Sequence, residues 1–193
     1  MLLGPLRHRF TALERAKEQG IGHYFVPRYT RVVDTAESKD NINKAYNLIS
    51  TSKVRNEMII DDVITCVARK QTPVILTRFK EHAKFLHDAL KEKADHVFLL
   101  YGDNSDKENA EIRVKLKQIP ENESLILVAT GQKIGEGFDF PRLDVLMLAA
   151  PVSFEGRLEQ YVGRLNRDYV GKEAVYVYDY IDSHVRYFDK MYA

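Results

Sequence analysis

Cysteine is nearly absent from this 193-residue sequence, which contains only Cys66. A single thiol excludes a disulfide scaffold, so a metal site would have to rest on histidines. The six histidines are scattered, and no two of them stand four residues apart as a helical metal-binding pair would. Cys66 lies in an apolar run of helical character, from Val63 to Ala68. We therefore predict a buried structural thiol and no metal site.

A strong excess of charge of one sign is also missing, because the formal net charge is only +1. A polyanionic partner would have to bind a local basic patch, and composition alone favours a protein without such a partner. No apolar run approaches the roughly 18 residues needed to span a membrane. Arg7 and Arg9 follow a very short apolar start, which does not match the layout of a signal peptide. We expect a cytoplasmic protein that does not contact membranes.

The residues that are present form short apolar runs alternating with helical patterns, in a chain that is 45% hydrophobic and 30% charged. Ser105 and Glu108 form a capping-box pattern at the start of one predicted helix. This alternation is typical of an α/β fold whose mostly parallel sheet is covered on both faces. The predicted strands are residues 73–77, 96–101, 124–129, 144–149 and 174–179, and the predicted helices are residues 79–93, 105–118, 154–167 and a last helix from about residue 184.

The start of the chain does not follow this alternation. We interpret residues 1–33 as a linker or the tail of a preceding domain, and residues 34–193 as the α/β domain. In parallel sheets, ligands bind beyond the carboxyl ends of the strands. The loops that follow four predicted strands therefore form the functional edge: those after Leu76, Leu100, Ala129 and Ala149.

The clearest functional pattern lies between residues 158 and 167. On a helix, four residues share one face and three apolar residues share the opposite face: Gln160, Gly163, Arg164 and Arg167 against Leu158, Val162 and Leu165. Two arginines one turn apart repel each other unless an anion lies between them, and guanidinium groups bind phosphate in a planar, bidentate fashion. A glycine within a helix costs about 1 kcal/mol relative to alanine, which suggests a close approach to the backbone there. The alternative is a solvated basic face with a neutral glycine.

A second pattern follows the predicted strand that ends at residue 129. Three glycines fall between Gly131 and Gly137, and glycines let backbone N–H groups turn toward a phosphate. Thr130 adds a hydroxyl group, and Asp139 adds a carboxylate that could accept a hydrogen bond from a sugar. The segment is not a dinucleotide fingerprint, because Phe140 stands where a third glycine is needed. The alternative is a glycine-rich turn without a ligand.

Together, and in this order, the two patterns resemble motifs V and VI of superfamily 2 helicases. Residues 73–79 resemble motif IV, and Gly102 stands where that family has a glycine that contacts the nucleic-acid backbone. The resemblance covers residues 29–180, and residues 149–153 are similar to the branch of restriction and repair helicases. It implies a RecA-like three-layer sandwich that serves as the second motor domain of an ATP-dependent helicase or translocase. The expected nucleic acid is DNA, with RNA as the alternative.

The resemblance also implies a role for each candidate residue. Arg167 would be the arginine finger that reaches the γ-phosphate of ATP, and Arg164 would contact the same phosphate or couple it to motif V. Gln160 would position the helix. Three residues would border the nucleotide: Gly163, Gly137 and Asp139. Of these, Asp139 would face the ribose. Five residues would contact the nucleic acid: Thr130, Gly131, Lys133, Arg78 and Gly102.

A Walker A phosphate-binding loop is absent from the sequence. Asp61 and Asp62 imitate the carboxylate motif of a first motor domain, but the apolar residues that follow them have helical spacing, so we predict a helix. ATP and Mg²⁺ would then be bound mainly by an N-terminal RecA-like domain of the same parent protein, and this chain alone would not hydrolyse ATP. Two rival interpretations are a motor domain of a preprotein-translocase-type ATPase and a non-catalytic docking module with the same fold.

Overall fold

The computed structural model describes residues 20–101, 105–130, 140–151, 155–167 and 169–189, with the backbone alone for residues 106 and 155–159. The strands in these ranges are β1 (Gly22–Tyr29), β2 (Pro73–Thr77), β3 (His96–Leu100), β4 (Leu125–Thr130), β5 (Val145–Leu148) and β6 (Ala174–Ile181). The helices are α1 (Ile42–Thr51), α2 (Lys53–Ala68), α3 (Lys80–Leu90), α4 (Asp106–Gln118), α5 (Glu155–Leu165) and α6 (Arg186–Asp189).

The six strands form one sheet in the order β1-β6-β5-β2-β4-β3, and every pairing is parallel. β2, β4 and β5 are buried along their whole lengths. Continuous burial explains their unbroken apolar sequences, because such strands meet helices on both faces. The predicted α/β fold with a parallel sheet is confirmed.

Helices α2 and α3 cover one face of the sheet. Ile59 and Cys66 of α2 join Leu86 of α3 in a core cluster with residues of β2, β4, β5 and β6. Cys66 is 0% exposed, and burial raises the pKa of its thiol. The predicted structural role of this cysteine fits its place in the core, and Asp61 and Asp62 lie within α2 as expected.

Helices α4 and α5 cover the opposite face. Leu116 of α4 and three residues of α5 pack in a second core cluster with apolar residues of β2, β4, β5 and β6. Leu100 at the end of β3 belongs to the same cluster. The predicted capping box is present at the start of α4: the Ser105 hydroxyl accepts from the Glu108 amide at 3.2 Å, and the Glu108 carboxylate accepts from the Ser105 amide at 2.7 Å.

Strand β1 lies at the edge of the sheet and pairs with β6 from Gly22↔Ala174 to Tyr29↔Ile181. The sheet therefore includes residues that the sequence assigned to a linker or to a preceding domain. The amides of Gly22 and Thr30 donate to Glu173 and Ile181 at 2.9 Å, so even-numbered amides of β1 face β6 and odd-numbered positions face outward. Pro27 occupies an outward position, where its missing N–H weakens further strand pairing.

Helices α1 and α6 meet at the carboxyl edge of the sheet, after β1 and β6. They form a third, smaller cluster around the rings of Tyr46 and Phe188, whose centroids are 4.8 Å apart. Tyr46 is 3% exposed, although the sequence around it is polar. This cluster closes one side of the edge where a ligand of a parallel sheet is expected.

Candidate functional site

Helix α5 presents the predicted face to solvent. Tyr161, Val162 and Leu165 are buried, whereas Gln160 and Gly163 are exposed. Arg164 is half-buried and Arg167 is exposed. The orientation inferred from helical periodicity is therefore confirmed for Gln160, Val162, Gly163 and Leu165, whereas the Nε atom of Arg164 is buried. The side chain of Leu158, the third predicted apolar residue, is not described.

The space above Gly163 is open. A Cβ atom at this position would meet no atom of the described residues within 4 Å. Packing within the described part of the chain therefore does not require glycine here. The close approach that the sequence suggested would have to come from another domain or from a ligand.

Arg167 lies on the turn after α5 and not on the helix, because α5 ends at Leu165, two residues earlier than its predicted end. Four contacts hold this turn. His23 of β1 lies 2.5 Å from the Oδ1 atom of Asn166, and the Asn166 amide donates to the Val162 carbonyl at 3.0 Å. The Lys172 ammonium donates to the carbonyls of Leu165 and Arg167.

Thr130 ends β4 directly beside Thr77, the last residue of β2, with which it is paired in register. Both are buried, at 8% and 4% exposure. The side-chain Nδ2 atom of Asn56 donates to the Ser50 carbonyl. The Oδ1 atom of Asn56 therefore faces His82 Nε2, at 2.9 Å. His82 Nδ1 is then the atom that accepts from the Thr77 hydroxyl at 2.7 Å.

Burial, followed by the nearby Arg55 guanidinium, lowers the pKa of His82 to about 3. The imidazole is therefore neutral near pH 7, as the tautomer assigned above requires. Because its proton lies on Nε2, the unprotonated Nδ1 atom accepts from the Thr77 hydroxyl and holds Thr77 in one orientation, beside Thr130.

Arg78 follows Thr77 and is exposed at the same edge. Its guanidinium carbon lies 4.3 Å from the centroid of the Tyr46 ring. The Tyr46 hydroxyl points to the Pro151 carbonyl, at 3.5 Å, just before α5. A groove of about 1000 Å³ opens next to Arg78 between α1, α2 and α3, with Phe79 and Phe85 in its walls.

A buried ion pair connects the carboxyl ends of β1, β5 and β6. Arg55 Nε donates to Asp182 at 2.9 Å, and both side chains are 0% exposed. Arg55 Nη1 donates to the Ala149 carbonyl at 2.8 Å, and the Thr30 hydroxyl donates to Asp182 at 2.5 Å. Removing one partner of such a pair costs about 3–5 kcal/mol, because the other charge stays buried.

Sequence reasoning missed this pair. A signal was present, since Arg55, Ile59, Val63 and Cys66 fall on one helical face, and the last three are apolar. Arg55 is thus on the buried side of α2. Its partner could not be found in this way, because Asp182 is 127 residues away.

The structure brings some predicted site residues together and does not describe others. Thr130 and Arg78 lie at the carboxyl edge of the sheet, and the α5 residues lie on the outward face described above. The remaining predicted site residues lie outside the described residues: Gly102, Gly131, Lys133, Gly137 and Asp139. No helix in the described ranges is long and apolar enough to cross a membrane. Among the same residues, no group of three or more histidines, cysteines or carboxylates could hold a metal ion.

A parallel sheet with helices on both faces defines a RecA-like α/β fold. Residues 54–168 match the family described as the helicase conserved C-terminal domain. The chain therefore belongs to this family of helicase C-terminal domains.

Viral proteins are among the relatives. The transcript termination protein A18 of Yaba-like disease virus is 28% identical over 172 residues, covering 83% of this chain and 35% of that protein. The protein of the same name from myxoma virus is 24% identical over 157 residues, with 77% and 32% coverage. The chain thus spans about a third of the length of these curated relatives.

Solved structures show the same fold. T4 UvsW superimposes with a TM-score of 0.60 at 22% identity, covering 84% of this chain and 32% of that chain. The Sulfolobus solfataricus SWI2/SNF2 ATPase core, solved in complex with dsDNA, gives a TM-score of 0.60 at 12% identity, with 87% and 43% coverage.

Proposed function

We propose that this chain is the second motor domain of an ATP-dependent nucleic-acid helicase or translocase, in which it supplies arginine fingers and half of the nucleic-acid track. The observation that supports this most directly is the geometry of α5. Tyr161, Val162 and Leu165 are buried, so the helix is fixed without a ligand. Arg167 is exposed beyond its end, and Arg164 is half-buried. A preorganised guanidinium stabilises charge that develops during phosphoryl transfer.

The nucleotide of this motor is ATP with Mg²⁺, and the exposed face of α5 fits the terminal phosphates. Arg167 and Arg164 are the groups that would meet the γ-phosphate, with Gln160 one turn before Arg164. Gly163, without a Cβ atom, allows a neighbouring surface to approach the helix closely. Asp139 and Gly137 take the nucleotide-bordering roles that the family resemblance gives them. The phosphate loop and the metal ligands belong to the first motor domain, as does most of the ATP affinity.

The track side of the proposal rests on the carboxyl edge of the sheet. The Thr130 hydroxyl, with Gly131, would hold one phosphate of the tracked strand. Arg78 would hold another, with Lys133 and Gly102 along the same path. Most contacts between proteins and nucleic acids of this kind go to phosphate and sugar, which suits a motor that must ignore sequence. We propose DNA as the polymer, as the similarity to the restriction and repair branch favours.

The proposal is tested with a protein in which this chain is joined to its first motor domain. Steady-state ATP turnover is measured without polymer, with single-stranded and duplex DNA, with RNA and with an unfolded polypeptide. We expect stimulation by DNA, whereas stimulation by RNA alone would change the polymer. Stimulation by the polypeptide alone would favour the preprotein-translocase interpretation, and no turnover under any condition would favour the docking module.

This chain by itself serves as the negative control. It has no Walker A loop, so phosphate release with or without DNA should match a buffer control. Turnover by a preparation free of contaminating ATPases would mean that a complete catalytic site lies within these 193 residues.

A further inference from the structure

Lys172 lies between helix α5 and strand β6, at the end of a short turn. Its amide donates to the Tyr169 carbonyl at 3.1 Å, and the preceding Gly171 has a φ of +80°. That backbone region is strained for residues with a side chain, so glycine suits this position. The turn reverses the chain and directs the Lys172 side chain back toward the end of α5.

The Lys172 ammonium is surrounded by main-chain carbonyls from two separate segments. At the end of α5 it donates to the Leu165 carbonyl and, at 3.3 Å, to the Arg167 carbonyl. On the segment that follows the glycine-rich stretch it donates to Pro141 at 2.9 Å and to Leu143 at 2.6 Å. A cation is favourable at this place, because the carbonyls at the end of a helix carry partial negative charge.

These contacts join the segments on either side of β5. One segment ends in Arg167, and the other leads from the glycine-rich stretch into β5. Lys172 lies outside the family match of residues 54–168. His23, which contacts Asn166 in the same turn, lies outside the match as well.

We propose that Lys172 is a positioning residue that sets the location of Arg167 relative to residues 140–143, the segment that leads into β5. This inference rests on the function proposed above. Arg167 is past the end of α5, so its backbone position depends on how the following turn is held. A displacement of about 1 Å in a group that contacts a reacting phosphate can cost about 100-fold in rate. Lys172 thereby acts on turnover through Arg167 and does not itself contact ATP.

The first test uses this chain alone and needs no activity. Lys172→Met keeps an unbranched side chain one atom shorter and removes its charge. The matched control is Lys91→Met, at an exposed residue after α3. Hydrogen exchange followed by mass spectrometry should show faster exchange in peptides covering residues 140–143 and 165–169 for Lys172→Met only. Exchange in β2, β4 and β5 should be unchanged. Unchanged exchange in both peptides would overturn the inference whatever the protein's activity.

The second test uses the two-domain protein. Lys172→Met should lower kcat for DNA-stimulated ATP turnover by about 10- to 100-fold and change the KM for ATP by less than about threefold. Loss of folded protein would instead lower the active concentration, which active-site titration with a tight nucleotide analogue measures directly. A kcat within twofold of wild type would overturn the positioning role. If the wild-type protein shows no stimulated turnover, the proposed function fails, and the exchange result identifies Lys172 as a structural link only.

Discussion

The guanidinium of Arg78 lies over the ring of Tyr46, with its central carbon 4.3 Å from the ring centroid. Tyr46 is 3% exposed and is fixed by the rings of Phe79 and Phe188, whereas Arg78 is exposed. A flexible cation is thus held over a rigid aromatic surface at the edge of the sheet. Such contacts are worth about 0.5–1 kcal/mol at exposed sites. Tyr46 therefore orients Arg78 for the phosphate contact that we propose.

Replacing Tyr46 should weaken nucleic-acid binding through Arg78. We expect Tyr46→Leu to weaken binding of a labelled single strand by about two- to fivefold in fluorescence anisotropy, which corresponds to the energy of the cation–π contact. Tyr46→Phe keeps the ring and should bind as wild type does. In an Arg78→Ala background, Tyr46→Leu should have no further effect. Additive losses would show that Tyr46 affects binding independently of Arg78.

Binding of single-stranded DNA by this chain alone should be weak and sensitive to salt. Half a track supplies few phosphate contacts, and each steepens the slope of log affinity against log salt by about 0.7. Arg78→Ala should therefore reduce that slope by about 0.7, whereas Arg69→Ala, an exposed arginine at the opposite edge of the sheet, should not. Tight binding that does not depend on salt would point to a base-stacking site instead.

Arg167→Ala should abolish most ATP turnover in the two-domain protein and change nucleotide affinity much less. Arginine fingers contribute about 10³- to 10⁵-fold in rate, because they stabilise charge in the transition state. Lysine at this position should restore little, since an ammonium cannot reproduce the planar fork of a guanidinium. Steady-state turnover at saturating ATP and DNA provides the measurement, and circular dichroism confirms that each variant is folded.

The control for this experiment is Arg69→Ala, which should keep wild-type turnover. If Arg167→Ala also kept turnover within about twofold, its side chain would belong to a solvated basic face, where charges contribute little. The membership of the helicase family would stand, but Arg167 would no longer be the arginine finger.

Acid should destabilise the fold through His82. The pKa of this residue is about 3 when folded and near 6.5 when unfolded, so below pH 6.5 the unfolded state binds the extra proton. The stabilisation is fully present above pH 6.5 and is lost as the pH falls toward 3, with a slope approaching about 1.4 kcal/mol per pH unit. Urea unfolding at pH 7, 6, 5 and 4 measures this for wild type and His82→Gln. The free-energy difference between the two proteins should shrink as the pH falls, and a constant difference would contradict the assignment.

Asp144 has the opposite effect on how the stability of the fold depends on pH. Burial is the main cause that raises the pKa of its carboxyl to about 6, partly offset by the hydrogen bond from the Thr72 amide and by Lys172. This group stabilises the fold fully below pH 3.8, and the stabilisation is lost as the pH rises through 6. The wild-type stability curve is therefore shallower than His82 alone would make it, which is why the comparison of two variants at each pH is needed.

Much of the fold could be predicted because buried elements show runs or a regular spacing of apolar residues in the sequence. β2, predicted at residues 73–77, matches its observed bounds, since both of its faces are covered and every residue is apolar or small. The orientation of α5 followed from the spacing of Val162 and Leu165 against Gly163 and Arg164. The roles of the arginines came from family resemblance and stay predictions.

Other features could not be predicted from the local sequence alone. The residues from Tyr24 onward are strand-like in sequence, but β1 is an edge strand with exposed side chains, and nothing in that run indicates that it pairs with β6. Tyr46 is buried within a polar stretch by residues that are distant in sequence, including Phe79 and Phe188. The end of α5 was predicted two residues late, because residues after a helix often continue its polar pattern.

The parallel pairing of β1 with β6 has a mechanical consequence. Tension applied at residue 20 along the direction of β1 would act parallel to both strands, so all the backbone hydrogen bonds from Gly22↔Ala174 to Tyr29↔Ile181 would share the load in shear. Pulling across the strands would instead open the bonds one after another from one end. The first geometry resists rupture far better at equal force, so the attachment of this domain to a preceding segment would be strong along the strand and weak across it. In a protein that generates force, this dependence of mechanical resistance on direction would let β1 transmit tension into the sheet without separating from β6.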